Sequence, residues 1–219
     1  MEILIYIVKN ISVIGMRMVE HLSIVGVSIA FALFCGIALG VFISRRPKLA
    51  PSVLYASAVV VTIPSVAVFG ILLPILATIG QGIGWLPAVL AVYMYSMAPI
   101  VRSTYTALVG LDPALIDSAD GMGMNASQRL WRVELPNAFP VILTGVRVAV
   151  VMNIGVTTIA AYIGAGGLGT FISRGITQTD IRQLVTGAFF VSLLAIVCDY
   201  LLLCLQRRMT PGGLSQAFK

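Results

Sequence analysis

Charged residues and histidine are scarce in this sequence, and their scarcity limits the classes of protein to which it can belong. Of the 219 residues only 10% are charged, while 59% are apolar, and the mean hydropathy is +1.03. Soluble domains carry charge on about a quarter of their residues. A chain with this little polar surface therefore needs lipid around part of it. The composition excludes a soluble enzyme, a nucleic-acid binder and a disordered protein.

Catalytic and metal-binding residue sets are lacking as well. The single histidine, His21, argues against a Ser-His-Asp triad and against a His-rich metal site. The sequence has no GxxxxGK[ST] phosphate-binding motif, so we expect no nucleotide to bind in the usual way and no cofactor. The cysteines lie in apolar runs without metal-ligand spacing and are predicted to be small buried hydrophobic residues. They are Cys35, Cys198 and Cys204.

Long apolar runs are what the sequence does contain, and they predict an all-α membrane protein with five transmembrane helices. A helix crosses a bilayer with about 20 apolar residues. The runs are 22–43, 51–79, 86–101, 138–163 and 181–205. The second run is too long for one straight crossing and contains Pro64 and Pro74, so we expect a tilted or broken helix there. We expect residues 1–219 to form a single transmembrane domain.

The N-terminal 20 residues differ from the runs that follow. Lys9 and Arg17 interrupt their apolar pattern, and no small-residue cleavage site follows, so we predict an interfacial amphipathic helix over 1–20 rather than a cleaved signal. The sequence leaves open whether this helix lies on the membrane or inserts into it. Basic residues cluster in the segments 45–48 and 207–208, which the positive-inside rule assigns to the cytoplasm. The N-terminus is then outside and the C-terminus inside.

The longest polar stretch, 111–136, falls on the same cytoplasmic side and predicts two short helices joined by a turn. Asp112 is an N-cap candidate followed by Pro113 at the first helical position. Asn125 can cap the second helix through a capping box, and that helix is expected to end before Pro136. Such a pair could dock into a groove on a cytoplasmic partner or pack against its own membrane domain.

The same loop resembles that of permease subunits of bacterial ATP-binding-cassette (ABC) importers. Their motif reads E-A-A, three residues, G, nine residues, then I-x-L-P. The corresponding residues here are Asp117, Ser118, Ala119, Gly123, Val133, Leu135 and Pro136. The spacing is complete, and the departures are Asp for Glu, Ser for Ala and Val for Ile. The shorter carboxylate of Asp117 alters the reach toward a partner's basic group.

Further segments resemble the osmoprotectant branch of that family, whose members carry glycine betaine, carnitine, choline or related quaternary amines. They are 62–65, 98–102, 112–115 and 163–169. The resemblance covers roughly residues 20–205. It implies the type I importer permease (MetI-like) fold. A permease of a methionine or other amino-acid importer is the alternative within the family.

The resemblance also implies partners. The permease works with two ABC ATPase subunits that bind the ATP, with a second permease chain that is identical or homologous, and with an extracytoplasmic substrate-binding protein. The chain itself is then not an enzyme. In the family the loop inserts into a cleft of the ATPase, so Asp117 would be the polar contact and Ala119 and Gly123 would allow close approach. Leu135 and Pro136 would fix where the loop rejoins the fourth span.

Polar and aromatic residues inside the spans supply the remaining candidates. Arg147 and Asp199 lie roughly 12–15 Å from the cytoplasmic ends of their helices, a similar depth that permits an ion pair. The alternative is independent snorkelling of the two side chains. Because aromatic faces bind quaternary ammonium groups, Tyr93, Tyr95 and Tyr162 are candidates to line the pathway. The alternative is that these tyrosines face the core or the lipid.

Two further questions stay open at the level of sequence. A GxxxG stretch at 36–40 suits close helix packing, either within the chain or with a second chain. A stand-alone secondary transporter or channel is the rival class of protein. It would need internal repeats and coupling carboxylates in the membrane, whereas this sequence has no visible repeat and one such acid.

Overall fold

The computed structural model describes residues 2–209, and every regular element in that range is helical. The α-helices are α1 (Glu2–Lys9), α2 (Ile11–Ser44), α3 (Ala50–Thr62), α4 (Ser65–Ala77), α5 (Trp85–Val109), α6 (Pro113–Gly121), α7 (Ala126–Arg129), α8 (Leu135–Thr157), α9 (Gly169–Thr177) and α10 (Ile181–Met209). A π-helical turn, Leu130–Glu134, precedes α8, and a 3-10 helix, Ile159–Ile163, follows it. The predicted position of the C-terminus lies outside the described residues.

The predicted set of five spans is confirmed with one of them broken. Within residues 2–209, four helical stretches are long and apolar enough to cross a membrane, and the pair α3 and α4, bent by 96°, supplies a fifth if it counts as one span. The break lies at Pro64, as the sequence predicts for the run 51–79. Ile63 adopts the extended conformation that is favoured before proline. Its carbonyl accepts a hydrogen bond from the hydroxyl of Tyr95 on α5, which satisfies one backbone group freed by the break.

The structure divides the N-terminal 20 residues differently from the predicted single helix over 1–20. The helical path is interrupted at Asn10, and residues 11–20 belong to α2. The side-chain amide of Asn10 donates to the carbonyl of Tyr6 at 2.9 Å, which competes locally with helix continuation. With its 34 residues α2 is about 51 Å long, more than the roughly 30 Å hydrocarbon layer. The position of residues 1–20 at the membrane surface stays a prediction.

Helix α5 is the centre of the bundle, because α2 and α8 both pack against it. Glycines make these approaches close. A Cβ atom on Gly36 would lie 2.8 Å from Ile100, and one on Gly40 would lie 2.5 Å from Thr104. On α8, a Cβ atom on Gly145 would lie 2.0 Å from the hydroxyl of Ser103. The GxxxG stretch at 36–40 therefore serves packing within the chain.

The prediction that the second loop helix ends before Pro136 is wrong. The chain stays helical from Ala126 through the π-helical turn to Thr157. In a regular α-helix a proline ring clashes with the carbonyl four residues earlier. The wider π-helical turn directly before Pro136 relieves that constraint, so the loop joins the membrane helix without a break.

Candidate functional site

The helix caps and the turn of the loop between α5 and α8 form as the local sequence predicts. The carboxylate of Asp112 caps α6 by accepting the N–H of Ala114 at 2.9 Å. Helix α7 begins with a complete capping box, in which Asn125 and Gln128 exchange side-chain and backbone hydrogen bonds of 2.9 and 3.0 Å. Gly123, with φ of +75°, makes the turn between the two helices, a conformation that glycine adopts without strain.

The residues of the importer motif take different positions on this loop. Asp117 and Ser118 are exposed on α6, whereas Ala119 is fully buried within the chain. The Asp117 carboxylate makes no hydrogen bond or ion pair to any residue between 2 and 209, so it is available to a partner. Gly123 is exposed beside open space. Val133 and Leu135 are half-buried, and Pro136 is exposed.

The loop that carries Asp117 also carries exposed apolar side chains. Leu115 is 40% exposed, Met122 is 68% exposed and Trp131 is 69% exposed. Exposed apolar side chains on a polar loop are typical of a contact with another protein. The buried position of Ala119 means that it supports α6 from beneath rather than contributing to this surface.

A charge network that sequence reasoning missed holds the loop to the end of α2. The buried carboxylate of Glu134 accepts a hydrogen bond from Arg129 at 2.9 Å and one from Arg45. Arg129 also binds both carboxylate oxygens of Asp120 at 2.6 Å. The network joins α2, α6 and the π-helical turn, so the basic segment 45–48 and the loop lie at the same end of the bundle.

No simple pattern in the sequence points to this network. Arg129 and Glu134 are five residues apart, a spacing that a regular α-helix does not place on one face. The π-helical turn brings them together. The Arg45–Glu134 pair spans 89 residues of sequence and forms only when α2 and the loop meet.

Arg147 and Asp199 are in contact between α8 and α10. The guanidinium donates to both carboxylate oxygens at 3.0 Å, a bidentate geometry, and also donates to the Gln206 side-chain oxygen at 3.0 Å. The Gln206 amide donates in turn to the Pro140 carbonyl and the Thr144 hydroxyl, both at 2.8 Å. Sequence reasoning missed Gln206, although it lies seven residues after Asp199 and therefore on the same face of α10.

The three tyrosines do not form one aromatic cage. Tyr93 packs partly buried into the cluster between α2, α5 and α8, whereas Tyr95 is 3% exposed in a separate cluster with α4. The Tyr95 hydroxyl binds Ile63 at the helix break. Tyr162, 60% exposed, lies in the 3-10 helix. A role for any of them in lining a pathway stays a prediction.

The glycine-rich loop at the opposite end of the bundle packs onto α2. Gly166 and Gly167 have φ of +79° and +77°, and the N–H of Gly167 donates to the Glu20 carboxylate at 2.9 Å. Arg17 donates to the same carboxylate at 2.8 Å. His21 is fully buried beside this loop, with its Nε2 atom 3.1 Å from the Ile154 carbonyl. His21 is therefore a core residue that connects α2 to α8 beneath the loop.

A bundle of membrane-length helices, with a capped helical loop exposed at one end, defines the chain as an integral membrane subunit built to contact other proteins. Residues 29–212 match the family described as "Binding-protein-dependent transport system inner membrane component". The chain belongs to this family. It is a permease subunit of an importer and not a stand-alone secondary transporter.

Among relatives, the chain is 49% identical over 214 residues to the "Osmoprotectant import permease protein OsmW" of Salmonella typhimurium, covering 98% of this chain and 100% of that protein. It is 36% identical to the "Choline transport system permease protein OpuBB" of Bacillus subtilis, covering 90% and 88%. A solved structure of the MetNI methionine ABC transporter in an inward-facing conformation superposes with a TM-score of 0.84 at 22% identity, covering 93% and 99%. That likeness establishes the fold.

Proposed function

We propose that this permease carries osmoprotectants of the quaternary-amine class, such as glycine betaine, choline or carnitine, across the inner membrane. The observation that carries the proposal is the full-length similarity to a permease named for osmoprotectant import. Relatives named for choline and for glycine betaine/carnitine/choline transport support the same class at 36% identity. The methionine alternative rests on a 22% identical structure, which speaks for the fold alone.

The transport cycle proposed here needs partner chains. Two ABC ATPase subunits bind and hydrolyse ATP, a second permease chain, identical or homologous, completes the pathway, and an extracytoplasmic binding protein delivers the solute. The loop 111–136 docks onto an ATPase subunit with Asp117 as its polar contact. Support comes from the exposed carboxylate of Asp117, which has no partner among residues 2–209, and from the exposed apolar side chains of Met122 and Trp131 on the same loop. Closure of the ATPases then moves the loop and switches the access of the pathway.

The proposed orientation places the loop in the cytoplasm, the N-terminus outside and the C-terminus inside. The support is the position of the basic residues. The basic segment 45–48 and the basic residues of the loop lie at the same end of the bundle, where Arg45 contacts Glu134. The positive-inside rule assigns such an end to the cytoplasm. Cysteine labelling from either side of sealed vesicles, at residue 122 and at residue 4, tests this orientation.

The coupling role is tested by reversing the charge of Asp117. Asp117→Lys replaces a partner-directed carboxylate, and loss of a charge-assisted hydrogen bond of about 1.5–3 kcal/mol predicts at least tenfold weaker ATPase association. The matched control is Glu2→Lys, an equal charge change at the opposite end of the bundle. Co-purification with the ATPase and ATP-driven uptake into proteoliposomes are measured for both. Substrate-dependent uptake by the chain without an ATPase would contradict the proposal.

The substrate class is tested separately, on the extracytoplasmic component of the intact complex. We expect binding and uptake of betaine, choline or carnitine and none of methionine. A complex that binds and transports only methionine would overturn the assignment while leaving the coupling role intact.

A further inference from the structure

Arg147 and Asp199 lie deep within the membrane-spanning part of the bundle. Arg147 is twelve residues from the first residue of α8 and ten from the last, which places it about 18 Å and 15 Å from the two ends. Asp199 is ten residues from the last residue of α10. The chain does not fully cover either side chain, since 21% of Arg147 and 39% of Asp199 are exposed.

Both side chains line a groove between α8 and α10. The groove has a volume of about 730 Å³, which is within the range of small-molecule sites. Tyr200, 64% exposed, follows Asp199 on α10 and lines the same groove. Most of the other lining residues are apolar, among them Val151 and Ile196. A guanidinium, a carboxylate and an aromatic ring therefore share one groove in an otherwise apolar surface.

The charges at this depth determine what the groove can face. Charged side chains inside a membrane face the protein interior or a water-filled cavity, because lipid chains solvate them poorly. Asp199 is partly exposed in the groove although it is bound to Arg147. In a membrane protein that carries a polar solute, the space that can hydrate such a carboxylate is the pathway of that solute.

The three side chains match the two ends of a zwitterionic quaternary amine. Aromatic faces and carboxylates bind quaternary ammonium groups, and Tyr200 and Asp199 supply one of each. A guanidinium suits a carboxylate, and Arg147 carries five N–H groups for three acceptor atoms within residues 2–209. A zwitterion offers each member of the ion pair a group of opposite charge, so its entry leaves neither charge uncompensated.

We infer that the groove around Arg147, Asp199 and Tyr200 is a site through which the solute passes in the membrane. Asp199 and Tyr200 bind the quaternary ammonium group, and Arg147 binds a carboxylate where the solute has one. The inference rests on the proposed function and adds where the permease contacts the solute. It also assigns to Arg147 the distinction between zwitterionic solutes such as glycine betaine and purely cationic ones such as choline.

The first test compares uptake of glycine betaine and choline by the complete complex in proteoliposomes. In Arg147→Gln we expect kcat/KM for glycine betaine to fall about tenfold or more, because a charge-assisted hydrogen bond is lost, while that for choline falls less than about threefold. Asp199→Asn and Tyr200→Leu should lower the uptake of both solutes, and Tyr200→Phe should retain it. Tyr55→Leu is the matched control, because Tyr55 is 73% exposed on α3 and does not line the groove.

The second test keeps the ion pair intact and detects solute in the groove directly. The three native cysteines are replaced by serine, and a cysteine is placed at Ile196, which is 67% exposed and lines the groove. During ATP turnover we expect it to react with a methanethiosulfonate reagent that carries a trimethylammonium group, and an excess of the transported solute to suppress the reaction. The control position is Phe34, 79% exposed in a separate groove with uncharged lining residues, where we expect no reaction.

The outcomes separate the inference from the proposed function. A cysteine at residue 196 that never reacts, in a complex that carries glycine betaine or choline, would overturn the inference alone, because the groove would then be closed by protein or lipid. Reaction that excess solute does not slow would overturn it as well. Equal losses of glycine betaine and choline uptake in Arg147→Gln would leave the ion pair a structural role only. A complex that transports no quaternary amine would overturn the proposed function itself.

Discussion

Removal of the Glu134 carboxylate is expected to loosen the loop from the membrane helices. Glu134 is 3% exposed and accepts hydrogen bonds from Arg129 and Arg45. In Glu134→Ala both arginines lose that acceptor. Arg129 keeps its contact with Asp120, while Arg45 is solvated, because 42% of its side chain is exposed.

The size of the effect follows from these environments. Breaking a buried ion pair from one side costs about 3–5 kcal/mol, whereas an exposed pair contributes about 0–1 kcal/mol. The Arg129 contact resembles the first case and the Arg45 contact lies nearer the second. Since Asp120 still compensates Arg129, we expect Glu134→Ala to lower the free energy of unfolding by about 2–4 kcal/mol. Glu134→Gln, which keeps the shape and one acceptor, should cost about half of this.

The measurement is reversible unfolding of the purified chain in mixed micelles, titrated with a denaturing detergent. Asp117→Asn is the matched control, because its exposed carboxylate makes no contact within residues 2–209 and should change stability by less than about 0.5 kcal/mol. A double-mutant cycle between residues 129 and 134 should give a larger coupling energy than one between residues 45 and 134. Stability of Glu134→Ala within 0.5 kcal/mol of the wild type would refute this reasoning.

Two further predictions concern packing and pH. Gly40→Ala should lower the free energy of unfolding by about 1–3 kcal/mol, because its Cβ atom would overlap Thr104. Gly26→Ala should raise the free energy of unfolding by up to about 1 kcal/mol, since a Cβ atom there would meet no atom of the described residues within 4 Å. Equal effects of the two substitutions in the same detergent titration would contradict the close packing of Gly40 against Thr104. Hydrogen bonds from Arg182 lower the pKa of Asp180 to about 2, so this contribution to stability is present above pH 4 and disappears as the pH falls toward 2. Asp180→Asn should remove that part of the pH dependence of the melting temperature.

The local sequence was sufficient to predict those parts of the loop whose structure depends on residues close by in the chain. Asp112 and Asn125 cap their helices because an acceptor side chain before a helix needs only the next three residues to act. The break at Pro64 follows likewise from the missing N–H and the constraint on the residue before it. These features could be predicted because the physics that produces them acts within one turn of chain.

The rule that a helix ends before a proline failed at Pro136, where contacts with distant parts of the chain determine the local structure. A proline normally ends the preceding helix, but the π-helical turn admits it and keeps α7 and α8 continuous. Glu134 lies in that turn, and its partner Arg45 is 89 residues away. Neither the turn nor the partner can be read from residues near position 136.

The continuity through Pro136 also connects the two parts of the molecule that carry polar chemistry. From Ala126 to Arg147 the chain is helical over 22 residues, about 31 Å, so the loop and the intramembrane ion pair lie on one continuous helix. Bends in helices concentrate at π-turns and prolines, and Glu134 ties the turn in this helix to Arg45 of α2. Displacement of the loop by a partner therefore reaches α8 directly and α2 through one carboxylate. If Asp117 is the ATPase contact proposed above, a variant that keeps Asp117 but lacks Glu134 should bind the ATPase normally and couple its hydrolysis poorly to transport.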